Sequence, residues 1–164
     1  MNRMGLRVQL EMKKSVWWNL SRILPPLVDE FLSHHEGILG TPESAEELHL
    51  LRIAGKPLRY AMETFRPFFG KEFKKCLHEV EQVIDLMGKV HDCDVVTAEL
   101  GLFTQQIRKL NQSGKRGRQR YTVSPISRII GEEKSKRQKI FEELAKTLRR
   151  MKRENFRQRV LDSL

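Results

Sequence analysis

Apolar residues along this chain recur every three or four positions, and stretches that alternate with period two are nearly absent. Val16, Leu20, Leu24, Leu27 and Phe31 form a first helical stripe, closed by the glycines at 37 and 40. Pro25 and Pro26 fall inside it, where each removes a backbone donor, so this helix is expected to kink or to start late. Ser44-Ala-Glu-Glu47, with Pro42 just upstream, reads as a capping box that opens a second helix to about Arg66, ahead of Pro67 and Gly70. A third helix, about Lys71 to Met87, carries Phe73, Leu77, Val80 and Ile84 on one face. Gly88 then marks a break or a close contact, and a fourth helix runs from about Val90 to Leu110. Residues 111–123 read as a loop, and Ser124-Pro125 supplies an N-cap and first helical residue for a long last helix. That helix reaches roughly Lys152, with a further break before Leu164. Only Tyr121-Thr122-Val123 looks strand-like, and it is too short to matter. The expected class is all-α: an antiparallel four-helix bundle with an extended C-terminal helix, residues 1–14 leading into one helical domain over 15–164.

Composition narrows the setting. Charged residues make up 32% of the 164 and hydrophobic ones 39%, a balance that points to a soluble globular chain. No apolar run approaches the ~20 residues of a spanning helix, so no membrane partner is expected. Met1 to Lys14 lacks the apolar stretch of a secretory signal. Cys76 and Cys93 fit no zinc or redox spacing, so both are read as reduced thiols of a cytoplasmic protein, with no metal and no cofactor implied. The net charge is +10, and it is uneven: residues 105–164 carry 18 basic and 6 acidic side chains, while residues 71–104 carry 4 and 7. The excess favours anionic partners, although a basic run is more often a solvated helical face.

The second helix is the informative one. His49, Arg52, Lys56, Arg59, Tyr60 and Glu63 share one face at ~100° per residue, while Leu51, Ala54, Leu58, Ala61, Met62 and Phe65 occupy the other. Guanidinium forks match phosphate oxygens bidentately, an ammonium adds a point charge, and imidazole adds a pH-sensitive donor. A plain solvated face, with Arg59 paired to Glu63 at i,i+4, is the alternative. Four basic or potentially basic groups ahead of a single acid argue for an anion site.

Leu48-His49-Leu-Leu-Arg52-Ile-Ala-Gly-Lys56-Pro-Leu58-Arg59-Tyr60-Ala-Met-Glu63-Thr-Phe65 resembles the signature helix of the CHAD family, the histidine-bearing α-helical domain. Met87-Gly88-Lys89-Val90-His91-Asp92-Cys93-Asp94-Val95 is similar to its second signature, a Leu-Gly step followed by a basic-Asp pair and Asp-Val. The resemblance implies a four-helix repeat of CHAD type that binds inorganic polyphosphate through a basic surface and is not an enzyme. It implies ligand contact for His49, Arg52, Lys56 and Arg59, with Lys89 and His91 adding to them. Tyr60 and Glu63 would orient the stripe, and Asp92 would brace an Arg or Lys. Lys115, Arg116, Arg118 and Arg120 of the loop, with Lys134 and Arg137 of the last helix, are accessory basic candidates. Family members usually carry two repeats about a pseudo-twofold and this chain has room for one, so a homodimer is expected. Trp17, Trp18, Phe65, Phe68, Phe69, Phe73 and Phe103 are candidates for its contact patch. Pro57 interrupts the signature helix and is expected to shift Arg59 relative to Arg52. A cytoplasmic location with association to polyphosphate granules follows from the same resemblance.

Other readings compete. His91-Asp92 could be the dyad of a metal-dependent phosphohydrolase, which needs further ligands on neighbouring helices. Nucleic-acid binding would suit the basic C-terminal third, but the stripe holds only Tyr60 as a stacking platform, which favours the polyanion without bases. A bundle whose partners are other proteins is a third reading. His34-His35 read as carbonyl caps or solvated groups, Trp17 and Trp18 as one surface and one core aromatic, and Gly114-Lys-Arg-Gly117 as a flexible basic loop.

Overall fold

A computed structural model describes residues 11–40, 45–113 and 121–164. The described residues form α1 (Val16–Ser33), α2 (His35–Gly40), α3 (Ala45–Phe65), a 3-10 turn (Arg66–Phe68), α4 (Lys71–Ser113), α5 (Ser124–Arg153) and α6 (Phe156–Asp162), and no strand. The all-α expectation holds. Ser44 and Pro42, and with them the expected capping box, lie outside the described residues.

α1 starts where the apolar stripe starts, because the Ser15 hydroxyl accepts the Trp18 N–H at 3.1 Å. It does not start late at its prolines. Leu20, Ile23 and Leu24 before Pro25-Pro26, and Leu27, Val28 and Phe31 after them, are all buried. Packing on both sides of the pair holds the helix together where the missing N–H groups would weaken it. α3 likewise continues through Pro57, with Leu51, Ala54 and Gly55 before it and Leu58 and Met62 after it on one buried face. Gly88 neither ends a helix nor marks a close approach: α4 is continuous, and a Cβ at Gly88 would meet nothing within 4 Å. One interior glycine costs a helix about 1 kcal/mol, which the buried Val83, Leu86, Met87 and Val90 around it outweigh. The expected third and fourth helices are therefore one helix, and it runs on to Ser113, into the region read as loop.

The chain divides into two compact units, one comprising residues up to Ile84 with Thr147–Leu164, the other Asp85–Lys146. In the first unit α1 packs on α3 and α6, and α2 packs on α3. Leu20, Leu24, Phe31, Leu51, Leu58, Met62, Phe73, Leu148, Met151 and Phe156 are its fully buried centre. Gly55 is where three helices converge: a Cβ there would stand 3.2 Å from Ile84 and 3.3 Å from Phe31. Asn19, buried, donates to the carbonyls of Glu11 and Ser15 at 3.1 and 3.0 Å and accepts the Glu11 N–H at 2.8 Å, tying the lead-in to α1. α5 and α6 are separated at Asn155, whose φ of 50° is left-handed, a conformation asparagine tolerates better than most residues.

The second unit is a helical hairpin. Val90, Cys93, Thr97, Leu100, Thr104, Ile107 and Asn111 on α4 are its covered positions, and they alternate spacings of three and four. Ile126, Ile130, Glu133, Arg137, Ile140 and Leu144 do the same on α5. Alternating three and four is the heptad seam of a coiled coil. Asn111 exchanges two hydrogen bonds with the Tyr121 backbone at 2.8 and 2.9 Å, while Asp94, earlier on α4, meets Arg137, later on α5. The strands of this coil are thus antiparallel.

Candidate functional site

The basic stripe forms as the spacing requires. The face of α3 that holds Leu51, Ala54, Leu58 and Met62 is buried, which turns His49 and Lys56 to solvent and leaves Arg52 half-buried. His49, Arg52 and Lys56 have no ion-pair or hydrogen-bond partner among the described residues. Arg59 differs. Its Nε lies 3.1 Å from a Glu63 carboxylate oxygen, at an angle that makes an ion pair rather than an aligned hydrogen bond, and its guanidinium stands 5.4 Å from the Tyr60 ring centroid. The i,i+4 pair of a solvated face is therefore realised at one end of the stripe, with Tyr60 and Glu63 acting on Arg59 alone. The other three cationic positions stay open.

Lys89, His91 and Asp92 belong to the second unit. Lys89 is exposed and without a partner among the described residues. His91 and Asp92 stand side by side in solvent, Nδ1 to Oδ1 3.7 Å. Among the described residues Asp92 meets no arginine or lysine; Asp94 does, its Oδ1 accepting from Arg137 Nε at 2.5 Å. The reason is register, because Arg137 occupies the hairpin seam and Asp94 adjoins the seam residue Cys93. Arg137 is thus engaged within the hairpin, whereas Lys134 is exposed. Lys115, Arg116, Arg118 and Arg120 lie outside the described residues. The seam's alternating spacing was the signal that could have separated Arg137 from Lys134. Among the described residues, no group of three or more His, Cys, Asp or Glu is placed to hold a metal ion, and no helix is long and apolar enough to cross a membrane.

Several histidine and aromatic expectations change. His35 is neither a cap nor solvated: it is buried edge-on to Phe31, centroids 5.0 Å apart, and its Nε2 finds no partner. Burial pushes its pKa down to about 4, so it is a neutral core group at physiological pH. His34 lies 3.7 Å from Glu30. Trp18 is half-buried between Lys14 and Arg22, which lie 5.4 and 5.0 Å from its ring centroid, and Trp17 is exposed. Burial raises the Cys76 thiol to about 11 and raises Cys93 as well, so neither is an activated nucleophile.

An all-helical chain whose second long helix buries one side and offers His, Arg and Lys on the other is a helical protein with a basic presenting face. The CHAD domain family matches residues 11–101, more than half of the chain and both signature segments, and the chain belongs to that family. No curated protein and no solved structure matches it.

Proposed function

We propose that this protein binds inorganic polyphosphate, without turning it over, through the outward face of α3. The observation that carries the reading is that His49, Arg52 and Lys56 stand in a row with no acid partner among the described residues. Such donors are spaced about one helical turn apart, roughly 5–6 Å, a pitch on which an extended phosphate chain can be gripped repeatedly. Membership of the CHAD family supports the same ligand, and the finer four-helix repeat of that type belongs to this reading too. Lys89, His91 and Lys134 are secondary contacts in it. Arg59, already engaged by Glu63, contributes less than Arg52.

Replacing Arg52 and Lys56 with Ala removes two open charge-assisted donors, each worth roughly 1.5–3 kcal/mol before screening by solvent. Titration with long-chain polyphosphate should then show at least a tenfold loss of affinity, and circular dichroism an unchanged helix content. Unchanged affinity in the folded double variant would move the site off α3. A DNA oligonucleotide titrated at two salt concentrations separates this ligand from nucleic acid, which shares the electrostatic attraction. Phosphate release from polyphosphate with Mg²⁺ or Mn²⁺, abolished by His91→Ala, would make the protein an enzyme instead.

The reading includes a homodimer in the cytoplasm, joining two stripes into a longer track. Of the candidate contact aromatics, Phe73 is buried, while Trp17, Phe68 and Phe103 are exposed. Light scattering at micromolar concentration tests it; a mass near 19.3 kDa would mean a monomer.

A further inference from the structure

A second basic feature in the first unit is made by elements other than α3. Lys71, Lys74, Lys75 and His78 follow one another at i, i+3, i+4 and i+7 on the first two turns of α4. With Glu79 and Gln82 further along α4, Arg150 near the end of α5 and Glu154 just past it, they line an open cleft of about 800 Å³. That is the size range of small-molecule sites.

Three facts make the cleft more than a solvated surface. Lysines are unfavourable in the first turns of a helix, where the macrodipole is positive and the orphan N–H groups attract anions; three lysines occupy the first five residues of α4. Second, the acids that line the cleft, Glu79 and Glu154, and the nearby Glu72 are already engaged by other cations. Arg159 donates to Glu79 at 2.8 Å and to Glu72 and Glu154 at 3.3 Å, and Lys75 takes up Glu72 at 3.0 Å. Lys71 and Lys74 are left with no acid partner among the described residues. Third, Arg150 has no acid partner among the described residues, its side-chain bond being a long 3.4 Å one from Nη2 to Gln82. One long bond leaves most of the guanidinium's five N–H donors for an anion in the cleft.

We infer that this cleft is a binding site for a small phosphorylated molecule of at least two negative charges, its phosphoryl oxygens taken by Lys71, Lys74 and Arg150 at the positive end of α4. The inference does not rest on the polyphosphate reading of α3. Pyrophosphate is the probe, titrated calorimetrically into the full chain against sulfate at equal ionic strength. The double variant Lys74→Gln with Arg150→Gln should weaken pyrophosphate at least tenfold, and Lys71→Gln with Lys74→Gln, both exposed, should do the same without touching the core. Arg52→Ala with Lys56→Ala should leave pyrophosphate affinity as it was, whatever becomes of long-chain polyphosphate. Unchanged affinity in the Lys71/Lys74 variant, sulfate binding as tightly as pyrophosphate, or pyrophosphate lost with the α3 variant would each overturn the assignment.

Discussion

The two units are built from the same kind of helix and hold together by different means. In the first, every helix has at least two neighbours. Its centre is aliphatic and aromatic, and its polar ties, such as Arg159 to Glu79, are well covered. The second has one interface, between α4 and α5, and that seam admits Thr97, Thr104, Asn111, Glu133 and Arg137. Val96, Leu102, Phe103, Leu110, Tyr121 and Ile129 remain exposed on it. A two-helix hairpin can cover only one stripe of each helix, so surplus apolar residues stay in solvent and polar residues become affordable in the seam. Stability should therefore be concentrated in the first unit, and equivalent substitutions should cost less in the second.

Replacing Arg159 with Met tests this most strongly. It strands Glu79, whose side chain is 13% exposed, and should destabilise the protein by about 3 kcal/mol in urea unfolding. The matching Arg137→Met in the hairpin frees Asp94, 38% exposed and able to take up water, and should cost about 1 kcal/mol. Equal losses would erase the distinction.

Acid should act through the first unit as well. His35 is neutral in the fold, with its pKa at about 4, and protonates near 6.5 when unfolded. The unfolded state therefore binds the extra proton first, and stability falls as pH drops from about 6.5 to about 4. The depression corresponds to about 3 kcal/mol over that window. His35→Phe, which keeps the contact with Phe31, should remove that part of the slope from a pH series of melting curves. A slope unchanged by the substitution would assign the acid loss to other groups.

Two helical glycines offer the finest comparison, because they should respond with opposite sign. Gly55→Val drives a branched side chain against Ile84 and Phe31 and should cost about 2 kcal/mol. Gly88→Ala, with open space around the new methyl, should stabilise by about 0.5–1 kcal/mol through helix propensity and a stiffer unfolded chain. Thermal melts of the two variants resolve both shifts. A destabilising Gly88→Ala would reveal a close approach at that glycine.

The sequence by itself determined the helical class and the stripe. A period of three to four residues says which side of α3 is apolar, and the opposite side must then carry His49, Arg52, Lys56 and Arg59. A break between Lys152 and Leu164 was legible too, whereas the start of α1 at Ser15, ahead of its prolines, was not. Only the tertiary structure decided where local signals are overruled. Gly88, Pro57 and the Pro25-Pro26 pair each weaken a helix by a few kcal/mol at most, and buried neighbours on both sides outweigh that. It also decided which charges are free. Arg52 and Arg59, like Lys134 and Arg137, are pairs of similar residues on the same helix. Arg59 meets Glu63 on its own helix, a pair the i,i+4 spacing already offers, but Arg137 lies in the seam against Asp94, 43 residues away in the chain. The cleft of Lys71, Lys74 and Arg150 was illegible for the same reason. Spacing along a helix gives a side chain's direction, but the charge it meets there comes from a distant part of the chain brought close by packing.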